Sequence, residues 1–211
     1  MNAPVLVCFA VPPEAKPFQK IIRARGDVSV VITGMGARNA DRSIRAALAN
    51  CSPGLVFSCG FAGALDPQLQ VGDVLFEGTT IPVLLEAKLR SAGARPAKFF
   101  CADRVATTAA EKSALRTRTD ADGVEMESRV IREACLARGL ACVTLRAISD
   151  AAHEDLPLDF NALMTPEDNL SFSRLAGAIL KAPQKIPALM RLGRNSAQAA
   201  EQLARVLSAV V

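Results

Sequence analysis

GVEMES, from Gly123 to Ser128, and LRAISD, from Leu145 to Asp150, bracket the stretch that decides the fold of this 211-residue chain. Between them lie a helical segment, Ser128 to Arg138, then Gly139 and an apolar run from Leu140 to Ile148. The pattern predicts a strand, helix, strand unit. In a parallel unit of this kind ligands bind in the crevice just past the carboxyl ends of the strands. Ser149 and Asp150 lie there, and Glu125 and Glu127 sit at the strand-to-helix junction. A carboxyl group walled by Ile148 and Ala147 is partly desolvated and tends to hold a proton that it can donate to a leaving group. A structural reading of the same residues stands beside this one: Asp150 caps the next turn and Glu127 faces water at a helix start, where acids are favoured.

Working outward, half the residues are apolar and 22% are charged, the balance of a folded globular chain long enough for one sizeable core, read here as a single domain over residues 1–211. A net charge of +4, dispersed along the chain, and the lack of Trp and Tyr argue against a nucleic-acid partner. No apolar run is long enough for a membrane span, and PVLVCFAV enters a strand with no basic leader before it, so a cytoplasmic protein is expected. The six cysteines form no C-x-x-C pair and mostly sit in apolar runs, as buried reduced thiols do. His153 is the only histidine; no metal site and no cofactor are expected.

Towards the N-terminus, Val5 to Val11 reads as a buried strand stopped by Pro12-Pro13, with Glu14 opening a helix at its carboxyl end. Prolines and an acid both suit a first helical turn, so Glu14 has a structural reading too. A second strand, Val28 to Ile32, runs into TGMGARNA. There Gly34 and Gly36 let the backbone approach a ligand, and Arg38 can reach an anion or simply be solvated; this G-x-G lacks the third glycine of a dinucleotide fingerprint. Gly54 to Ser58 reads as a short third strand, followed by CGFAGAL as a glycine-rich bend, then a turn hinged at Gly72-Asp73 and a strand to Phe76. Recurrence of such bends after strand ends marks one edge as a binding crevice. Residues 81–97 read as helical, 99–101 as a short strand, and Thr108 with Glu111 as a capping box.

Beyond Asp150, AHEDLPLD reads as a polar loop able to cover the crevice as a lid. From about residue 170 the pattern is amphipathic and helical, broken at Pro183 and Pro187, with Arg174, Lys181, Lys185, Arg191, Arg194 and Arg205 against the single acid Glu201. Such a tail either rests on an anionic membrane surface, peripheral to its inner face, or packs on the sheet with a basic outer side.

Taken together, PPEA at Pro12 to Ala15, TGMGARNA, SCGFAGALDPQLQVGDVLF, VEMES and LRAISDAA resemble the nucleoside phosphorylase and nucleosidase superfamily, close to methylthioadenosine/S-adenosylhomocysteine nucleosidases. The resemblance spans roughly Val5 to Leu156. It implies an α/β fold, a three-layer α/β/α phosphorylase/hydrolase-like sandwich with a central mixed sheet, and a homodimer. AEKSAL, ISDAAHEDLP and KAPQKIPALMRLGRNS are most similar to a hopanoid-associated branch, whose members are implicated in releasing adenine from adenosylhopane. The implied substrate is therefore a small-molecule nucleoside, with a lipid-like 5′ group if the finer resemblance holds.

The resemblance also implies roles. Asp150 matches the acid that protonates the purine at N7, and Ser149 the residue that orients it. Glu14 matches the acid that activates water. Glu127 matches the acid that holds the ribose hydroxyls, with Met126 against the sugar face and Glu125 beside it. Phe61, Ala62 and Gly63 match the bend next to ribose and base. Departures are equally informative: Val105 stands where a Phe usually stacks on adenine, and Ala106 offers only backbone groups. VPPEA replaces the G-D-P-x-R phosphate loop of phosphorylases, which favours water as nucleophile; phosphate enters as co-substrate only if cleavage is phosphorolytic, with Arg38 or Arg146 to receive it. A non-catalytic relative would have lost acids, and Glu14, Glu127 and Asp150 are all present.

Overall fold

The computed structural model describes residues 4–78, 81–165, 167 and 170–211. Its centre is a mixed sheet. Strands β1 (Val5–Phe9), β2 (Val28–Ile32), β3 (Leu55–Ala64) and β8 (Ala141–Asp150) are parallel neighbours in the order β2-β1-β3-β8. Strand β4 (Val74–Glu77) runs antiparallel to β8 and carries the short β5 (Arg95–Pro96) beyond it. These central strands are continuous apolar runs because helices cover both faces, as parallel sheets require.

On one face α1 (Pro12–Ile21), α3 (Val83–Ser91) and α8 (Ile186–Val210) close a core around Phe9, Phe18, Phe57, Leu145, Leu203 and Leu207. On the other, α2 (Gly36–Asn50) and α5 (Ser128–Leu136) pack Ile44, Leu48, Ile131 and Cys135 against Leu6, Cys8 and Val56. These are the three expected layers. A smaller wing, β6 (Phe99–Cys101) and β7 (Gly123–Glu125), joins the sheet through an antiparallel pairing of β7 with the end of β3. Helix α4 (Ala109–Thr119) lies between these two strands in sequence and opens on the expected Thr108–Glu111 capping box.

The third strand departs from its sequence reading. CGFAGAL is not a bend after a short strand but the second half of β3, ten residues long, which leaves β1 behind and turns towards β7. Its ladder with β8 slips between Ala62 and Gly63, whose partners are Ile148 and Asp150, leaving Ser149 as an extra residue. A bulge of this kind re-aims side chains. Asp150 is thus the last residue of its strand, not a residue beyond it. Residues 81–97 also differ: only Val83–Ser91 are helical, because Gly93, in the left-handed region at φ +97°, ends the helix and lets the chain reverse into β5.

Towards the tail, α6 (Phe160–Leu163), α7 (Phe172–Lys181) and a 3₁₀ turn (Pro183–Lys185) precede α8, and Pro187 lies in the first turn of α8, where proline is tolerated, without breaking it. The tail has two characters. From Ala199 onward α8 is core; from Ile186 to Gln198 none of its residues is buried.

Candidate active site

The carboxyl ends of β1, β3, β7 and β8 converge on a cleft of about 230 Å³ lined by Glu14, Phe61, Ala62, Gly63, Glu125, Met126, Glu127, Ser149 and Asp150, with Val105 and Ala106 opposite. Each acid arrives differently. Glu14 is in the first turn of α1, where its Oε2 accepts the N–H groups of Ala10 (3.0 Å) and Val11 (3.1 Å) and its Oε1 that of Phe61 (2.9 Å). Burial pushes its carboxyl above the ordinary range, against the pull of Arg146 and these three donors.

Glu125 ends β7 and turns back on the start of α5. It accepts the N–H groups of Glu127 (3.0 Å) and Ser128 (2.8 Å) and the Ser128 hydroxyl (2.7 Å), and it pairs with Arg146. Burial raises this carboxyl, but Arg146 and the Ser128 and Glu127 donors outweigh that and hold it below its usual value. Both of its oxygens are thereby committed to helix start and cation.

Glu127 is pushed up to about 7, by burial first and by the Glu125 and Glu14 charges besides, opposing Arg146 at 3.5 Å and the Gly36 N–H at 2.9 Å. That last bond bears on Gly36, expected with Gly34 and Arg38 as an anion site. The N-terminus of α2 does meet a negative charge, but the charge is the chain's own Glu127. Gly34 packs against Asn39, and Arg38 is exposed. Arg146 is buried among Glu14, Glu125 and Glu127.

Arg146 and Glu14 cross β3 at Gly60. A Cβ there would run into the Arg146 guanidinium and come within 2.8 Å of Glu14 Oε1, so the glycine serves close approach. Gly63 does the same for Asp150, whose Oδ2 would lie 3.0 Å from an added Cβ.

Asp150 accepts the Ser149 hydroxyl on Oδ1 at 2.7 Å, while Lys112 Nζ lies 2.5 Å from Oδ2. Ile148 and Ala147, from which an apolar wall was inferred, are both fully buried in the core, but neither lines the cleft. What meets the carboxyl there is a buried ammonium. Facing the acids, the backbone of Val105 exchanges two 2.9 Å hydrogen bonds with the Asn161 side chain, which fixes the wall that holds Val105 and Ala106. Leu156 of the expected lid lines the cleft, and its loop is pinned by Leu156 N–H to Thr107 O (2.8 Å) and Ala109 N–H to Asp155 (2.7 Å).

Sequence reasoning missed the use of Arg146, Lys112 and Asn161. A signal existed for Arg146: a charge inside an otherwise apolar strand buried on both faces needs buried counter-charges. Lys112 left none, since it sits in a polar stretch where solvation is the default.

Fold and sequence now meet. The family model described as "Phosphorylase superfamily" matches residues 9–78, which run from β1 through β4 and so include Glu14, Gly60 and Gly63. Over those residues, about a third of the chain, the sequence is similar to that superfamily. Among individual proteins, it is 26% identical over 158 residues to the aminodeoxyfutalosine nucleosidase of Campylobacter jejuni, covering 60% of this chain and 67% of that one. In three dimensions it resembles futalosine hydrolase of Helicobacter pylori (TM-score 0.73, 16% identity, 100% of this chain and 97% of that one). It also resembles the H. pylori 5′-methylthioadenosine/S-adenosylhomocysteine nucleosidase solved with butyl-thio-DADMe-Immucillin-A (TM-score 0.74, 15% identity, 100% and 98%).

Proposed function

We propose that this protein is an adenine-releasing N-glycosidase that hydrolyses a nucleoside with a substituent at the 5′ position. One observation carries the reading: Glu14, Glu127 and Asp150, 136 residues apart at the extremes (150 − 14), line a single nucleoside-sized cleft. Asp150 gives its proton to the purine N7 as the C1′–N9 bond breaks, so the base leaves neutral with the bonding electron pair. Glu127 accepts from the ribose hydroxyls and offsets the positive charge that grows on the sugar. Glu14 takes a proton from the water that adds to C1′, a role suited to a carboxylate whose affinity for protons is raised. Commitment of Arg146 to carboxylates favours water over phosphate.

A large apolar 5′ group, adenosylhopane being the specific candidate, is supported by what adjoins the sugar end. A cavity of about 410 Å³ shares Met126 and Met164 with the cleft and reaches Arg174 on α7. Past it lies the uncovered part of the tail, where Leu180, Ile186 and Met190 are exposed among Lys181, Lys185, Arg191 and Arg194. Exposed apolar and basic residues together suit an anionic lipid surface. The test is adenine release from adenosylhopane and from methylthioadenosine in parallel, with and without phosphate. The expected result is faster turnover of the former and no change when phosphate is removed. Phosphate-dependent formation of a sugar 1-phosphate would refute hydrolysis, and preference for methylthioadenosine would refute the lipid-like substituent.

The acids also set a pH dependence. A carboxyl at about 7 on Glu127 and a raised Glu14 must both be ionised to accept from hydroxyls and water, so activity is lost as pH falls through their values. We expect kcat/KM to fall below roughly pH 7, approaching about tenfold per pH unit for each essential group. A profile that stays flat down to pH 5 would rule out this assignment.

A further inference from the structure

Helix α4 buries a single residue, and that residue is Lys112. A lysine with no exposed surface is costly to bury and is found only with partners. Its ammonium has three donors and three acceptors around it: Ala151 O at 2.8 Å, Glu154 O at 3.0 Å and Asp150 Oδ2 at 2.5 Å. All three lie on the chain leaving β8. A structural staple needs only the carbonyls, yet the shortest contact is to the side chain at the cleft. Ser149 holds the other oxygen, so the Asp150 carboxyl is fixed from both sides.

We infer that Lys112 is the positioning residue of Asp150, setting its orientation and compensating the charge that leaving-group protonation leaves behind; this rests on the nucleosidase reading. When the Asp150 O–H bond breaks and the N7–H bond forms, a carboxylate is left in a buried site. An ammonium in contact with Oδ2 offsets that charge where water cannot. The help is therefore specific to departure of a base that must be protonated.

The experiment compares Lys112→Met with the wild type on two substrates: the adenine nucleoside, and p-nitrophenyl β-D-riboside, whose phenolate leaves without needing a proton. General-acid assistance is worth about 10²–10⁴-fold, so kcat on the nucleoside should fall by about 100-fold and on the aryl riboside by less than about 3-fold. In an Asp150→Asn background Lys112→Met should cost nothing more, because its effect passes through Asp150. Equal losses on both substrates, or full additivity with Asp150→Asn, would show a merely structural lysine. Where the methionine variant fails to fold, Lys112→Gln, which keeps a donor for the carbonyls without the charge, is read by the same ratio. A wild type that cleaves neither substrate overturns the nucleosidase reading and this inference with it; an active wild type with equal losses overturns this inference alone.

Discussion

Asp150→Asn lowers adenine release by about 10³-fold, in the middle of the range that general-acid catalysis supplies, while the protein remains folded. The amide matches the carboxyl in shape, and its oxygen still accepts from Lys112, but it has no proton to give. The base then has to leave as an anion. The loss is confined to nucleosides, and KM for them changes little, since the lost interaction develops only in the transition state. Turnover within about fivefold of wild type, in protein with the expected cooperative melt, is incompatible with Asp150 as the proton donor, whose removal should cost at least about 10²-fold.

The strand ends that carry the acids were readable from sequence because a parallel sheet covered on both faces demands largely apolar runs, and Val5 to Val11 and, Thr144 and Arg146 apart, Leu140 to Ile148 are such runs. Glu14 and Asp150 announce themselves as the first acids after them. The course of β3 was not readable, since CGFAGAL has the glycines of a bend. Those glycines serve the site instead: Gly60 makes room for Arg146 and Glu14, and Gly63 for Asp150. Local sequence cannot tell a glycine needed for a turn from one needed for a close approach by a side chain 86 residues away (146 − 60). What the N-terminus of α2 meets was hidden for a related reason. Gly36 presents an N–H at a helix start, as expected, but only the tertiary fold brings Glu127 to it. Lys112 belongs with these long-range cases, its partners lying 38 to 42 residues further on.

Arg146→Met removes the one cation buried among Glu14, Glu125 and Glu127, and its consequences fall on stability as much as on activity. Breaking a buried ion pair from one side costs about 3–5 kcal/mol because the partner's charge is left uncompensated; at about 2–4 °C per kcal/mol for a chain of this size, the melting temperature should drop by roughly 6–20 °C. The loss must depend on pH, and its sign follows from the carboxyls. Glu127 has a folded value raised to about 7, so its contribution to stability is present below the ordinary carboxylate range and is lost as pH rises through 7. Arg146 opposes that rise in Glu127 and in Glu14, and without it both carboxyls would be protonated to higher pH. The variant should therefore lie nearest the wild type at pH 5, where the carboxyls can take protons, and furthest from it at pH 8, where charging them is penalised. Thermal melts of both proteins across that interval decide the matter. A deficit that is constant with pH, or larger at pH 5, would mean that Arg146 is held by packing and not by the three acids, and the electrostatic frame on which Glu14 and Glu127 depend would have to be abandoned.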